Sequence, residues 1–348
     1  MTTGFSRPSD GGVRELLAIA LPMVVSQAAE TAMLFTDRLF LSALSPVHMA
    51  AAMGGGLTAF MFMTFFIGLT GYATALVAQY LGAGKERLCG RALFQSVLCA
   101  LLAAPVLAML VPVGEWMMTV TGPDPAQLVL EIDYFRILMW GAGVSLLRNA
   151  MAAFWSGLGK TRIIMVSALA SMVVNVVLNW LLIFGHLGFP AMGIRGAAIG
   201  TIIGNGVGLV IIAAAFAPLW RDRLFHLRSA FAFDGAMMKK LWRFGYPGGL
   251  EFLLNALAFN LIVLTFHSYG VVEAAAVTIA FNWDMVSFIP IVGVGIGVTS
   301  LVGRCMGARN PDAAHRAAMS GLKVASVYTG FIVVVYLALA PQLVGIFV

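Results

Sequence analysis

The sequence predicts an all-α integral membrane protein: two six-helix lobes related by an internal repeat, the second lobe truncated, with about nine transmembrane helices. Three observations lead there. The composition comes first. Of 348 residues, 61% are hydrophobic and only 10% charged, with a mean hydropathy of +0.95. Soluble domains carry about 25% charged residues. A soluble enzyme and a disordered chain are both excluded on that ground. Secondly, the apolar residues come in runs of roughly 20 or more, the length that crosses a bilayer as a helix, without the strict alternation of a barrel strand. Thirdly, the chain matches itself at a shift of 225 residues, which places Pro22 on Pro247. The same shift places Ala50 and Ala51 on Ala275 and Ala276, Gly68 on Gly293, Gly82-Ala83 on Gly307-Ala308, and Arg91-Ala92 on Arg316-Ala317. A matched intramembrane proline, Gly-Ala turn and loop arginine in one gapless register of about 70 residues mark a repeat of the kind transporters use.

Helices are expected near residues 16–43, 49–81, 91–114, 131–157, 162–185, 196–219, 239–267, 272–304 and 315–339, separated by glycine, proline and charged clusters. This gives a polar N-terminal segment (1–15), a first lobe (16–219), a linker (220–238) and a partial second lobe (239–348). Loop charge sets the orientation. Arg7, Arg14, Lys85, Arg87, Arg91, Lys160 and Arg162 fall on one side. The same side takes Arg221, Arg223, Arg228, Lys239, Lys240, Arg243, Arg304, Arg309 and Arg316. The opposite loops hold Glu115, Asp124, Glu131, Asp133 and Glu273. The positive-inside rule then puts the N-terminus and the linker in the cytoplasm and the protein in the cell inner membrane. Six helices precede the linker, so the two copies share one orientation about an axis along the membrane normal. The second copy stops after its third helix, and completing it would take roughly 100 more residues. A missing C-terminal part is therefore expected, through a truncated gene, a fragment or a half-lobe that pairs with another chain.

The net charge of +6 lies in these short loops and does not point to nucleic acid. Cys89, Cys99 and Cys305 show no metal spacing and no disulfide framework. The first apolar run carries Glu30 and Asp37 and has no small-residue cleavage site, so it does not read as a signal peptide.

Polar residues inside apolar runs carry the functional argument. A carboxylate such as Asp37 costs about 2.5–3.5 kcal/mol at the centre of a membrane helix. It should face a cavity or the bundle interior, or else sit near the outer interface beside Arg38. Gln27, Glu30 and Asp37 share a face, since seven residues return to within about 20°. Asn175 and Asn179 stand one turn apart in the fifth helix. Thr201 follows a glycine-rich entry into the sixth. Each of the three suits interhelical or backbone hydrogen bonding. Together with Asp37 they supply a carboxylate, two amide carbonyls and a hydroxyl, oxygen ligands that hard cations such as Na+ prefer; a buried carboxylate takes up H+ as readily. Pro22 and Pro247 are expected to bend their helices. Glu251, Asn255, Asn282 and Asp284, with Gln27 and Glu30, are candidates to line a substrate cavity between the lobes. No Walker A loop, HExxH or other enzyme constellation is visible.

With these motifs in place, the chain resembles the multidrug and toxic compound extrusion (MATE) transporters from Leu16 onward. The carriers are Leu21-Pro22 with Asp37 downstream, VAQYLGAG at 77–84, SGLGKTR at 156–162 and NVVLNWLLIFGHLGFPAMGIRGAA at 175–198. RFGYPGGLEF at 243–252 and LVGRCMGARNPDAA at 301–314 complete the set. The resemblance implies a Na+- or H+-coupled exporter of drug-like organic cations, embedded in membrane lipid, with no cofactor and no enzymatic activity. It implies alternating access between two lobes, and a first-lobe cation site at Asp37, Asn175, Asn179 and Thr201. Asn179 resembles the bacterial sodium-coupled branch. Asn255 stands where that branch often has Glu in the seventh helix, with Glu251 one turn earlier. The family's tenth to twelfth helices have no counterpart. Two alternatives stay open: a flippase of lipid-linked precursors, which would want clustered intramembrane bases where Arg38, Arg136, Arg148 and Lys323 are scattered, and a nonfunctional remnant.

Overall fold

Apolar runs free of helix breakers become long helices, and the computed structural model resolves where the breakers act. It describes residues 10–121, 124–221, 225, 227, 231–267 and 271–345. The first helix, α1, runs Val13–Leu44 with Pro22 inside it. Ser45 then turns extended and caps α2 (Pro46–Gly71), its hydroxyl accepting the His48 N–H at 3.3 Å. Tyr72 separates α2 from α3 (Ala73–Gly82). The expected span at 49–81 is thus one membrane path made of two helical segments. Next come α4 (Glu86–Met109), α5 (Val111–Thr121) and α6 (Pro125–Gly157), the last capped by Asp124 with Pro125 in its first turn. Helix α7 (Thr161–Phe184) ends on Gly185 at φ 75°, the left-handed cap that glycine adopts without strain. A 3-10 turn (His186–Gly188) leads to α8 (Ile194–Ala214) and the short α9 (Ala217–Arg221). The second half contributes α10 (Gly235–His267, containing Pro247), α11 (Val271–Gly307) and α12 (Pro311–Gly345).

Among the described residues there is no strand, and eight stretches are long and apolar enough to cross a membrane, α2 with α3 counting as one. The expected span at 239–267 forms α10, part of which lies outside the described side chains. The third expected span, 91–114, starts a turn early and stops at Met109, because Leu110 separates α4 from α5. The described residues of the 220–238 connection pack on the first lobe: Asp234 pairs with Arg91 at 3.0 Å, Gln95 donates to the Ala232 carbonyl at 3.0 Å, and Phe225 is fully buried against Phe154.

Small residues let the helices approach. In α8, Gly196, Gly200, Gly204 and Gly208 repeat every fourth residue and face α7. A methyl group at Gly196 would lie 2.7 Å from the Leu182 carbonyl carbon, and one at Gly204 2.9 Å from the Ser171 carbonyl oxygen. The two halves meet along α1 with α11, and α2 and α3 with α10 and α11. These seams are reciprocal. A Cβ on Gly82 would lie 2.0 Å from the Arg304 carbonyl oxygen, and one on Gly307 2.0 Å from that of Gln79. Residues 79 and 304, like 82 and 307, are equivalent under the 225-residue shift. Likewise Gly68 abuts Gly249, while Gly293 abuts Val24, the position equivalent to 249. Ser300 donating to the Ser156 carbonyl at 2.7 Å, and Arg304 to the Leu158 carbonyl at 3.1 Å, reinforce the seam at its basic end.

Candidate cation site

Four side chains from α1, α7 and α8 converge on one point. Asp37 is 2% exposed, and Asn175 and Asn179 are fully buried. The Asn179 amide nitrogen donates to Asp37 Oδ1 and, at 3.2 Å, to Asn175 Oδ1. Asn175 Nδ2 donates to Thr201 Oγ1 at 3.3 Å. Thr201 Oγ1 lies 3.0 Å from Asp37 Oδ2 and also 3.0 Å from its own helix's Ala197 carbonyl. A hydroxyl has one proton to give. Thr201 therefore donates either to the carboxylate or to the backbone, and which it does depends on what Asp37 holds. The Asp37 carboxylate is buried within the first lobe.

The glycine ladder of α8 is what admits these side chains. A Cβ at Gly200 would fall 2.4 Å from Asn179 Oδ1, and one at Gly204 3.1 Å from Asn175 Cβ. Asn179 Oδ1 is buried and has no hydrogen-bond partner among the described residues. An orphaned buried oxygen is costly. It stands beside a carboxylate, a second amide oxygen and a hydroxyl, the donor set that hard cations take.

A second polar group sits on the same helices. Arg148 of α6 is 7% exposed and pairs with Glu30 at 3.1 Å. It also donates to Asn205 Oδ1 at 2.8 Å and to Ser167 Oγ at 3.4 Å. Asn205 Nδ2 in turn donates to the Thr201 carbonyl at 3.1 Å, so the two groups share α8. Arg136 pairs with Glu115, with its Nη2 2.8 Å from Oε2. The intramembrane bases Arg136 and Arg148 are thus each neutralised by a carboxylate.

The other candidates are more scattered. Gln27 is half-buried, its carbonyl taken by Thr31. Glu251, Asn255 and Asp284 are exposed on α10 and α11, and no hydrogen bond among the described residues joins them to Asp37. The side chain of Asn282 lies outside the described residues. Pro22 and Pro247 sit inside α1 and α10 as equivalent positions of the repeat. Sequence reasoning missed Gly200, Gly204, Asn205 and the Arg148–Glu30 pair. The four-residue glycine period in GIRGAAIGTIIGNGVG was the available signal for the first two.

Comparison with known proteins agrees with this architecture. The MatE family model matches residues 22–181 and 247–348. The multidrug resistance protein MdtK of Edwardsiella ictaluri is 28% identical over 317 residues, covering 89% of this chain and 68% of that protein. A MOP superfamily transporter from Pyrococcus furiosus superposes with a TM-score of 0.88 at 23% identity, over 100% of this chain and 76% of the other. An outward-facing multidrug resistance MATE family transporter gives 0.87 at 22% identity, over 99% and 76%.

Proposed function

The chain belongs to the MatE family, a family of transporters rather than enzymes, and from that premise we propose that it is a secondary active multidrug efflux transporter. It exchanges Na+ or H+ for small organic cations by alternating access between the two lobes. It does so in the cell inner membrane, with its N-terminus in the cytoplasm. The observation that carries the reading is the closed cluster of Asp37, Asn175, Asn179 and Thr201, with the partnerless Asn179 oxygen inside it.

The chemistry follows from what the cluster holds now. Asp37 is satisfied by an amide and a hydroxyl, both internal donors. A half-turn of the Asn179 amide replaces a donor with an oxygen and makes room for Na+. A proton on Asp37 would instead release Thr201 to the Ala197 carbonyl. Either event changes how α1 is held against α7 and α8. Coupling requires that the inorganic and organic cations stabilise different lobe arrangements. The test is ethidium efflux from proteoliposomes driven by an imposed Na+ or H+ gradient. Wild-type protein should respond to one gradient, and Asp37→Asn to neither. Gradient-driven efflux from Asp37→Asn at the wild-type rate would refute the assignment.

A further inference from the structure

The Arg148–Glu30 pair is lopsided. The Arg148 side chain is 9% exposed and sealed by three helices, whereas that of Glu30 is 44% exposed. Gly208 makes the seat for the guanidinium, since a Cβ there would fall 2.8 Å from Arg148 Nε and 2.9 Å from Ser167 Oγ. The nearest approach is Arg148 Nη2 to Glu30 Oε1, at 3.1 Å. Among the described residues, no hydrogen bond occupies Oε2. A carboxylate accepts through both oxygens. Glu30 therefore presents an anchored anion with one oxygen still to give, on the partly open side of the helix that also carries Asp37.

We infer that Glu30 is the anchor for the positive group of the organic substrate, and that Arg148 is its positioning residue. The inference rests on the export reading above and names the substrate class at this position: organic monocations, primary to quaternary ammonium, with an apolar body. Arg148 has two effects. It fixes the carboxylate on the bundle side by holding Oε1. It also weakens the anchor, because its charge lies across the same carboxylate from the incoming cation. An exporter needs such attenuation, since a substrate held too tightly is not released. Displacing Arg148 outright would strand a buried charge, so the substrate shares Glu30 rather than taking it over. The path Glu30–Arg148–Asn205–Thr201–Asp37 runs through an ion pair or a hydrogen bond at every step. Seven residues of helix, about 10 Å, separate its two carboxylates along α1. Occupancy at one carboxylate therefore has a physical route to the other.

Removing Glu30 and removing Arg148 should change cation binding in opposite directions. Dye binding to the detergent-purified chain is read by fluorescence anisotropy, with rhodamine 6G as the cationic probe and fluorescein as the anionic one. Glu30→Gln should weaken rhodamine 6G binding at least tenfold and strengthen fluorescein binding, because Arg148 is left unneutralised. Arg148→Gln should tighten rhodamine 6G binding at least fivefold. The Glu30→Gln/Arg148→Gln double variant should bind it more weakly than wild type but better than Glu30→Gln, and should lose the gain in fluorescein binding. A purely structural ion pair predicts a different pattern: all three variants lose binding along with thermal stability. If Arg148→Gln fails to fold, Glu30→Gln decides by its switch of probe. Unchanged preference for the cation in a Glu30→Gln protein that melts like wild type overturns the inference. Wild-type protein that binds no organic cation overturns the export reading instead.

Discussion

Substituting alanine along one face of α8 separates the site from its scaffold. At Gly200 the new methyl would lie 2.4 Å from Asn179 Oδ1, about 1 Å inside ordinary contact. The atom it meets is the tip of a rotatable amide, so the side chain yields while the α7–α8 pair stays together. Moving that tip breaks the hydrogen bond from Asn179 to Asp37. A hydrogen bond to a charged group contributes about 1.5–3 kcal/mol, which corresponds to a loss of roughly 10- to 150-fold in gradient-driven efflux. Helix propensity works the other way, since alanine is about 1 kcal/mol better than glycine in a helix interior. Gly200→Ala should therefore melt at or above the wild-type temperature while transporting poorly. Two controls on the same helix bracket it. A Cβ at Gly206 meets nothing within 4 Å, so Gly206→Ala should gain stability and keep transport. A Cβ at Gly196 would meet the Leu182 backbone at 2.7 Å, and backbone does not rotate away. Gly196→Ala should lose about 1–3 kcal/mol through overpacking, with a lower melting temperature. The assay pairs thermal melting in detergent with ethidium efflux from proteoliposomes. Wild-type efflux from Gly200→Ala, or equal damage from Gly206→Ala, would refute the reasoning.

Further expectations concern the site, the seam and the linker. Asn179→Ala removes the donor shared by Asp37 and Asn175, and gradient-driven efflux should fall more than tenfold with ethidium binding retained. Gly82→Ala forces a methyl onto the Arg304 carbonyl at 2.0 Å. The seam should part, and maleimide labelling of Cys305, 1% exposed in the closed seam, should rise at least fivefold by peptide mass spectrometry. Asp234 is held below the ordinary aspartate range, first by the Met237 backbone N–H it accepts and then by Arg91. A depressed carboxylate adds stability above its unfolded pKa, about 4, and loses it as pH falls through the folded value. Amide exchange in the first turn of α10 should accelerate as the pH drops below about 4, and Asp234→Asn should abolish that dependence.

Much of the site was legible because the membrane makes polarity expensive. Asp37, Asn175, Asn179 and Thr201 stood out as oxygen-bearing groups in apolar runs, and all four prove to meet. Their convergence was not legible, because helical spacing fixes a face but not its partner. The Arg148–Glu30 pair joins α6 to α1, and no local pattern announces so distant a contact. The break at Tyr72 was hidden for another reason. Gly71 is a weak signal inside an apolar run, and the hydropathy of 49–81 is continuous across it.

The repeat carries a deeper lesson about where function can differ between halves. The positions that recur at the 225-residue shift include those where backbone meets backbone. Gly82 and Gly307 each close on the other half's carbonyl, and Gly68 and Gly293 each pack against equivalent positions. At 2.0–2.9 Å from backbone there is no room for a side chain, so geometry holds both copies to the same residue. Asp37 obeys no such rule. Its equivalent is Ile262, so the second half has no carboxylate where the first has its site. The seam is thus symmetric and the chemistry is not. A symmetric seam packs the halves in the same way on both sides of the axis, which suits a rocking motion. Under the exchange proposed above, an asymmetric site would let one ion bias that motion in one direction. A variant that moves the carboxylate, Asp37→Ile with Ile262→Asp, should fold around the same seam and lose gradient-driven efflux. The Asn175–Asn179 and Thr201 cradle that holds Asp37 is built on α7 and α8, so a carboxylate moved to 262 leaves that cradle behind.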